Sequence, residues 1–354
     1  MRMGIRFGFS FASGPPININ VALEERFMEF LFTDWLGTPA WFWLIFIILV
    51  IALTAFDLGF LHKEDREIGI RESLGLSAFY ISIALLFGGW IWYARGPEPG
   101  MQYFTGFFIE KALSIDNVFV IGLIFSYFAI PLRYQYRALL WGIVGVIVLR
   151  GLMIGGGAML LHEAYWVLYV FAAFLIFTGI KMLFSGDTPM DIGNNRAIKF
   201  IATHIRMTPQ LHGEHFFARM PHRKTGKMVL AATPLFLALV VINFADLLFA
   251  VDSVPAIFAI TTDTFIVYTS NVMAILGLRA LYFALSAMVH RFHYLKYALA
   301  LILVYIGAKI FVADFVLGGD KFPPVLSLGV TFALLAAGVG WSLWKTRQET
   351  RSLA

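Results

Sequence analysis

Charged residues are scarce in this chain of 354 residues, at 14% Asp, Glu, Lys and Arg, and cysteine is absent. Soluble domains carry roughly 25% charged residues, so this chain has too few to cover a water-facing surface. The absence of cysteine excludes disulfides, thiolate metal sites and catalysis by a thiol. It also argues against soft ions such as Cu(I), because these ions prefer sulfur ligands.

Hydrophobic residues, by contrast, make up 60% of the chain. They recur in apolar runs of ~20 residues, and each run is long enough to cross a bilayer. Window hydropathy predicts about nine spans, many of them ending in Trp or Tyr as interfacial belts do. We therefore expect an all-α, polytopic bundle of membrane helices. The predicted spans lie near residues 40–60, 74–94, 103–128, 138–160, 165–184, 229–260, 267–289, 294–316 and 323–344.

Lys and Arg are unevenly distributed between the two sets of loops. The loop 185–228 and the C-terminal tail are rich in them, whereas the loops of the opposite side hold few. The positive-inside rule therefore predicts a cytoplasmic C-terminus and an external N-terminus, in the plasma (inner) membrane. We expect an extracytoplasmic segment over 1–39 without a cleavable signal, a transmembrane domain over 40–345 and a tail over 346–354. The net charge of +5 then reflects topology and not nucleic-acid binding.

The loop 185–228 also contains a group of histidines, two of which flank a Gly-Glu pair. We interpret the segment as a solvated basic loop. A cytosolic metal sensor is the alternative, but the glycine and the loop context make the spacing a weak signal. The histidines are His204, His212, His215 and His222.

Two parts of the chain share one pattern of charged residues. Each begins with two acids six positions apart and a short polar residue after the second, continues with Leu-Arg-x-Leu in the next span, and ends with Gly-x-Lys in the third. The copies cover about 103–184 and 229–316. Three spans is an odd number, so the pattern predicts an inverted repeat, with a site near the midplane where the copies meet. The matched residues are Glu110, Asp116, Asn117, Arg150 and Lys181, and Asp246, Asp252, Ser253, Arg279 and Lys309.

Charges inside a span are costly, at ~2.5–3.5 kcal/mol each at the bilayer centre, so these must pair inside the bundle or line a wet cavity. We interpret the acids as a cation site, balanced by Arg150 and Arg279 when it is empty. Lys111 and Lys309 are further candidate charge partners, with a purely structural ion pair as the alternative. Asp57, late in the first span, is either a further ligand or a helix-end acid.

The spacing of the acids constrains how they bind an ion. Six residues along a helix rise ~9 Å and turn ~120° out of alignment, so a straight helix does not bring both acids to one ion. Either each pair forms two layers of a pathway, or the helix is broken between them. Pro255 favours a break in the second copy, because it removes the hydrogen bond to the carbonyl of Val251 beside Asp252.

The polar residues near these acids offer oxygen ligands, and no histidine lies deep in a predicted span. Oxygen ligation suits Mn²⁺, Mg²⁺ or Ca²⁺ better than Zn²⁺ or Cu⁺. We therefore expect a transporter and not an enzyme, with a hard divalent cation as its substrate and no permanently bound cofactor. The candidate metal-binding residues are Glu110, Asp116, Asn117, Asp246, Asp252, Ser253, Asn243 and Asp57.

Two long motifs carry a family resemblance. The stretch from Phe104 to Phe119, around Glu110-Lys-Ala-Leu-Ser-Ile-Asp116-Asn, and the stretch from Thr233 to Ala259 resemble signatures of the TerC/Alx family of integral membrane proteins. The resemblance covers roughly residues 40–345. It implies a role in metal homeostasis, above all manganese efflux, with links to tellurite resistance and the response to alkaline pH. It also implies Glu in many relatives where this chain has Asn243, which makes the site less negative here.

The leading hypothesis is an Mn²⁺ exporter that exchanges the metal for protons. Asp116 and Asp252 occupy equivalent places in the two copies and are predicted to clamp one cation. Two carboxylates held close repel each other when both are ionised, so metal binding would release a proton. Two alternatives stay open. One is an oxyanion carrier that binds its substrate through Lys111, Arg150 and Arg279, and the other is a non-transporting membrane partner of secretion or stress machinery.

Overall fold

The computed structural model describes residues 26, 28–61, 70–164, 166–184, 206–208, 210–221, 228–285, 295–317 and 323–352. A few side chains within its helices, among them Asp116 and Asp252, lie outside this description. The backbone divides into two compact units, residues 1–49 and 50–354. The predicted boundaries at 39/40 and 345/346 stay predictions.

In the first unit, a short hairpin whose strands are two residues long leads into the first membrane helix. Strands β1 (Asp34–Trp35) and β2 (Thr38–Pro39) pair in antiparallel fashion, with Trp35 opposite Thr38. The turn between them places Gly37 at φ 80°, a left-handed conformation that costs glycine little. Helix α1 (Ala40–Leu61) begins directly after the hairpin and continues into the second unit.

The described residues of the second unit are mostly helical, which apolar runs of spanning length predict. Among these residues, one further antiparallel hairpin of two strands interrupts the helices. The elements in chain order are α2 (Ile70–Arg95), α3 (Pro97–Tyr127), α4 (Leu132–Glu163), α5 (Val167–Phe184), β3 (Phe217–Pro221), β4 (Met228–Ala232), α6 (Pro234–Phe258), α7 (Thr264–Leu276), α8 (Leu278–Leu285), α9 (Leu295–Phe315) and α10 (Pro324–Ser352).

The predicted polytopic helical bundle is confirmed. Within the described residues, eight helical segments are long and apolar enough to cross a membrane, with α7 and α8 counted together as one segment. Helix α3 has 31 residues and is also of spanning length, although three charged residues, Glu110, Lys111 and Asp116, lie close together near its middle. It packs among α2, α6, α7 and α10, so neighbouring helices surround its charged residues.

Two local expectations are wrong. The span predicted to start at 229 begins at Pro234, because Met228–Ala232 forms a strand paired with Phe217–Pro221. Helix α6 is not broken before Pro255. The proline lies three residues before the helix ends at Phe258, where its missing N–H costs a single hydrogen bond. The break occurs instead in the next span, at Gly277 between α7 and α8.

Helices α5 and α9, the third spans of the two repeats, cross each other symmetrically. A Cβ added to Gly179 would lie 2.6 Å from the carbonyl oxygen of Ala300, and one added to Gly307 would lie 2.5 Å from that of Ala172. Each glycine is 128 positions from its counterpart, and so is each alanine. Late residues of one helix meet early residues of the other, so the two equivalent helices are antiparallel.

The other helices of the two repeats also pack against each other symmetrically. Helix α3 packs on α7 and α4 packs on α6, and these two pairs interchange when the repeats are swapped. Equivalent helices also meet directly, α3 on α6 and α4 on α7. Together with the antiparallel crossing of α5 and α9, this is the arrangement that the predicted inverted repeat of two three-helix units requires.

Candidate ion site between the repeats

The centre of the bundle holds an arginine between two carboxylates. Arg150 lies midway along α4 and is 1% exposed. Its Nε donates to Asp246 Oδ2 and its Nη2 donates to Asp246 Oδ1, both over 3.0 Å. Its Nη1 donates to Glu110 Oε1 over 2.5 Å. Repeat one therefore supplies Glu110 and Arg150, and repeat two supplies Asp246.

Neutral side chains complete the hydrogen bonding of these three charged residues. Arg150 Nη1 also lies 3.0 Å from Ser253 Oγ and 3.1 Å from Asn271 Oδ1. Asn271 Nδ2 donates to Glu110 Oε2 over 3.1 Å, and Asn117 Nδ2 donates to Asp246 Oδ1 over 3.3 Å. We call these six residues the Arg150 cluster: Glu110, Asn117, Arg150, Asp246, Ser253 and Asn271.

The cluster reproduces the symmetry of the repeat. The first acid of repeat two, Asp246, meets Asn117, the polar residue that follows the acid pair of repeat one. Conversely, Glu110 and Ser253 both bind Arg150 Nη1. Residue 110 therefore lies near 253 and residue 117 near 246, so α3 and α6 are antiparallel at the site. The first acid and the polar residue of each copy are seven positions apart, so they lie on one face of their helix, and each acid meets the polar residue of the other copy when the two helices pack antiparallel.

Two buried amide oxygens have no partner among the described residues. Asn117 Oδ1 belongs to the cluster, and Asn243 Oδ1 lies on α6, three residues before Asp246. Asn243 Nδ2 donates to the carbonyl of Leu239 over 2.9 Å, which leaves its oxygen beside Gly145. A Cβ on residue 145 would lie 2.2 Å from that oxygen, so the absence of a side chain there gives the amide its space. Buried acceptors of this kind normally have a partner, so these oxygens are available to a ligand.

The charge of the cluster is not balanced by its own residues. Two carboxylates face a single guanidinium, and both are almost fully buried. A buried charge is tolerated when it is paired and hydrogen-bonded, and each acid here depends on the same arginine. The excess negative charge in a low-dielectric environment favours binding of a further cation.

Lys111 and Lys309 form hydrogen bonds to groups other than Glu110 and Asp246. Lys111 Nζ donates to the carbonyl of Ala274 over 3.1 Å, in the last turn of α7, where carbonyls lack helical partners and the helix dipole is negative. It therefore caps α7 and does not neutralise its neighbour Glu110. Lys309 Nζ donates to Ser327 Oγ of α10 over 3.3 Å.

Asp57 and Arg279 form a second ion pair, apart from the Arg150 cluster. The guanidinium of Arg279 also stacks over the ring of Tyr136, at 4.1 Å from its centroid. The repeat predicts Arg279 as the equivalent of Arg150, yet it binds an acid of α1. The break at Gly277 explains the difference, since it separates the helix that carries Arg279 from α7.

The remaining candidates lie outside the described part. The side chains of Asp116 and Asp252 are not described, so the predicted clamp stays a prediction. Among the residues that are described, no group of three His, Asp or Glu side chains is arranged to hold a metal. In the loop, His204 and His222 lie outside the description, His212 Nδ1 is 3.0 Å from the carbonyl of Gln210, and Glu214 pairs with Arg137.

Asn271 belongs to the cluster, although it is not among the metal-binding residues that the sequence predicts. It bridges Arg150 and Glu110, so it holds the arginine and the acid in register. The signal for it was present, because Ser270-Asn271 is a polar pair inside an otherwise apolar span. Both residues are completely buried.

Comparisons with known proteins agree with this architecture. Residues 95–350 match the integral membrane protein TerC family. An uncharacterized membrane protein of Rickettsia bellii (strain RML369-C) is 46% identical over 297 residues, which cover 84% of this chain and 95% of the relative. Alx of Salmonella typhi, provisionally described as a membrane-bound redox modulator, is 41% identical over 90% of this chain and 98% of its own. No solved structure matches significantly.

Proposed function

We propose that this chain, which belongs to the TerC family of integral membrane proteins, transports a hard divalent cation, with Mn²⁺ as the leading candidate. The observation that carries the proposal is the buried cluster in which Glu110 and Asp246, one acid from each repeat, converge on Arg150. Ionisable residues inside a membrane are costly, so a site of this kind supports a transport role.

The ligand atoms of the cluster favour a hard ion. Apart from Arg150 and the amide nitrogens, the groups that converge are carboxylate, hydroxyl and amide oxygens. Mn²⁺, Mg²⁺ and Ca²⁺ prefer such ligands, whereas soft ions select sulfur, which a chain without cysteine does not offer as thiolate.

Arg150 occupies the place of the transported cation when no cation is bound. Its guanidinium binds both acids in the ion-free protein and offsets part of their charge. A divalent cation would replace the guanidinium when Arg150 moves away. Release of the cation then requires the arginine or protons to return, because two buried carboxylates are not stable alone. This cycle supports exchange of the metal for protons, and the inverted repeat supplies two interchangeable arrangements for it.

The geometry is less favourable to an oxyanion carrier. Nε, Nη1 and Nη2 of Arg150 all donate to oxygens of the cluster. An oxyanion would have to displace both acids and would then lie beside them. The redox role given to Alx does not involve thiol chemistry in this chain, because it has no cysteine.

Metal binding by purified protein tests the proposal. Titration calorimetry with Mn²⁺ should show binding to the wild type and a loss of at least ~10-fold, or ~1.4 kcal/mol, in Glu110→Gln and in Asp246→Asn. The matched control is Glu98→Gln, which removes an exposed acid from the same helix α3 and should bind as the wild type does. Wild-type affinity in both cluster variants, with folding verified by gel filtration, would contradict the proposal.

A further inference from the structure

A small pocket of about 20 Å³, enough for roughly one water molecule, lies between α3, α4, α6 and the start of α8. Its walls are apolar except at Asn117 and Asp246, which both belong to the Arg150 cluster. These two residues are 5% and 6% exposed, whereas Glu110 is completely buried. The pocket therefore reaches one acid of the cluster and not the other.

The pocket lies on one side of the cluster only. Its α4 residues, such as Leu139 and Val146, precede Arg150, and its α3 residues, such as Ile121, follow Glu110. Because α3 ends and α4 begins at the turn 128–131, the pocket occupies the half of the bundle that contains this turn.

The opposite half is packed closely. A Cβ on Gly106 of α3 would lie 2.8 Å from Ser270 Oγ of α7, and one on Gly157 of α4 would lie 2.8 Å from Phe258 Cε2 of α6. Each pair of helices is therefore in direct contact beyond the cluster. Farther out, Arg95 at the end of α2 pairs with Asp263 at the start of α7 over 2.8 Å.

We propose that this pocket is the path by which the transported cation reaches the cluster, from the end of the bundle at the turn 128–131. Asp246 and the unpartnered Oδ1 of Asn117 are the first ligands that it meets. The inference rests on the proposed function for the identity of the occupant. The apolar walls strengthen the attraction of Asp246 for a cation, because they lower the local dielectric constant. A cation bound to Asp246 competes with Arg150 and weakens the hydrogen bonds between these two residues. Arg150 can then move, and Glu110 becomes accessible to the cation.

The natural absence of cysteine makes the path directly testable by thiol labelling. Val146 and Ile154 lie one helical turn on either side of Arg150 and are 3% and 1% exposed, but only the first lines the pocket. In purified protein, a small cationic methanethiosulfonate should modify Val146→Cys at least ~10-fold faster than Ile154→Cys, because a thiol in closed apolar packing is inert. Val120→Cys provides a second pocket position if the first variant folds poorly.

Equal labelling rates, or faster labelling of Ile154→Cys, would overturn the path itself. The occupant is tested by adding Mn²⁺, which should slow the modification of Val146→Cys several-fold and should lose this effect when Asp246→Asn is combined with it. Fast labelling of Val146→Cys that Mn²⁺ does not slow would show that the pocket is accessible, but it would refute the cation as its occupant. Failure of the proposed function is thereby separated from failure of the path.

Discussion

Replacing Arg150 by Met leaves the two acids of the cluster facing each other without their counter-charge. Met retains much of the apolar volume but makes none of the hydrogen bonds to Glu110, Asp246, Ser253 and Asn271. Removing one partner of a buried ion pair costs about 3–5 kcal/mol, because the remaining charge is buried uncompensated. We expect a loss of that order in the free energy of unfolding.

A divalent cation should reverse part of this loss if the acids form its site. In the wild type the cation competes with the guanidinium of Arg150 for the two acids, whereas Arg150→Met has no guanidinium at the site. A ligand at 100 times its dissociation constant stabilises the folded state by about 2.7 kcal/mol. Mn²⁺ should therefore stabilise Arg150→Met more than it stabilises the wild type.

Thermal and denaturant unfolding of purified protein, with and without Mn²⁺, measures both effects. Arg133→Met is the matched control, since it removes an exposed arginine from the same helix α4 and should change stability little. Adding Glu110→Gln and Asp246→Asn to Arg150→Met should restore stability in the absence of metal and abolish the response to Mn²⁺. An Arg150→Met protein as stable as the wild type, or one that Mn²⁺ stabilises no more than it stabilises the wild type, would refute the reasoning.

Asp116→Asn and Asp252→Asn should each abolish Mn²⁺ flux while the protein stays inserted, and a well-folded Asp116→Asn protein with wild-type flux would rule out the predicted clamp. Gly179→Ala and Gly307→Ala should each lower the free energy of unfolding by about 1–3 kcal/mol, because the added methyl meets a backbone carbonyl in both. Gly155→Ala, which meets no atom within 4 Å, should not lower stability, and a similar loss there would contradict this reading. A reporter at the C-terminus should be active in the cytoplasm; activity outside would reverse the predicted topology.

The repeat was predictable because charges inside a membrane are rare and therefore informative. The order of acids, Arg and Gly-x-Lys predicts which helices are equivalent, and the crossing at Gly179 and Gly307 agrees with it. The pairing of Asp246 with Asn117 follows from the same alignment once the helices are antiparallel. Such pairings depend on the relative direction of two helices, which the number of intervening spans determines.

Departures from the symmetry were not predictable from the same pattern. Arg279 matches Arg150 in sequence but binds Asp57. The helix is interrupted at Gly277, and α1, which carries Asp57, has no counterpart in the repeats. Pro255 suggested the break in the wrong helix, because a proline near a helix end disturbs little. Lys111 looks like a partner for a neighbouring acid, yet it donates to a carbonyl at the end of α7.

The most direct test of the account is ion flux into proteoliposomes that contain the purified protein. Mn²⁺ flux should exceed that of protein-free liposomes, should depend on an imposed pH gradient and should be lost in Asp246→Asn but retained in Glu98→Gln. Mg²⁺, Ca²⁺ and tellurite added separately identify the preferred ion. Tellurite flux without flux of any divalent cation, or Mn²⁺ flux that survives Asp246→Asn, would contradict the central claim.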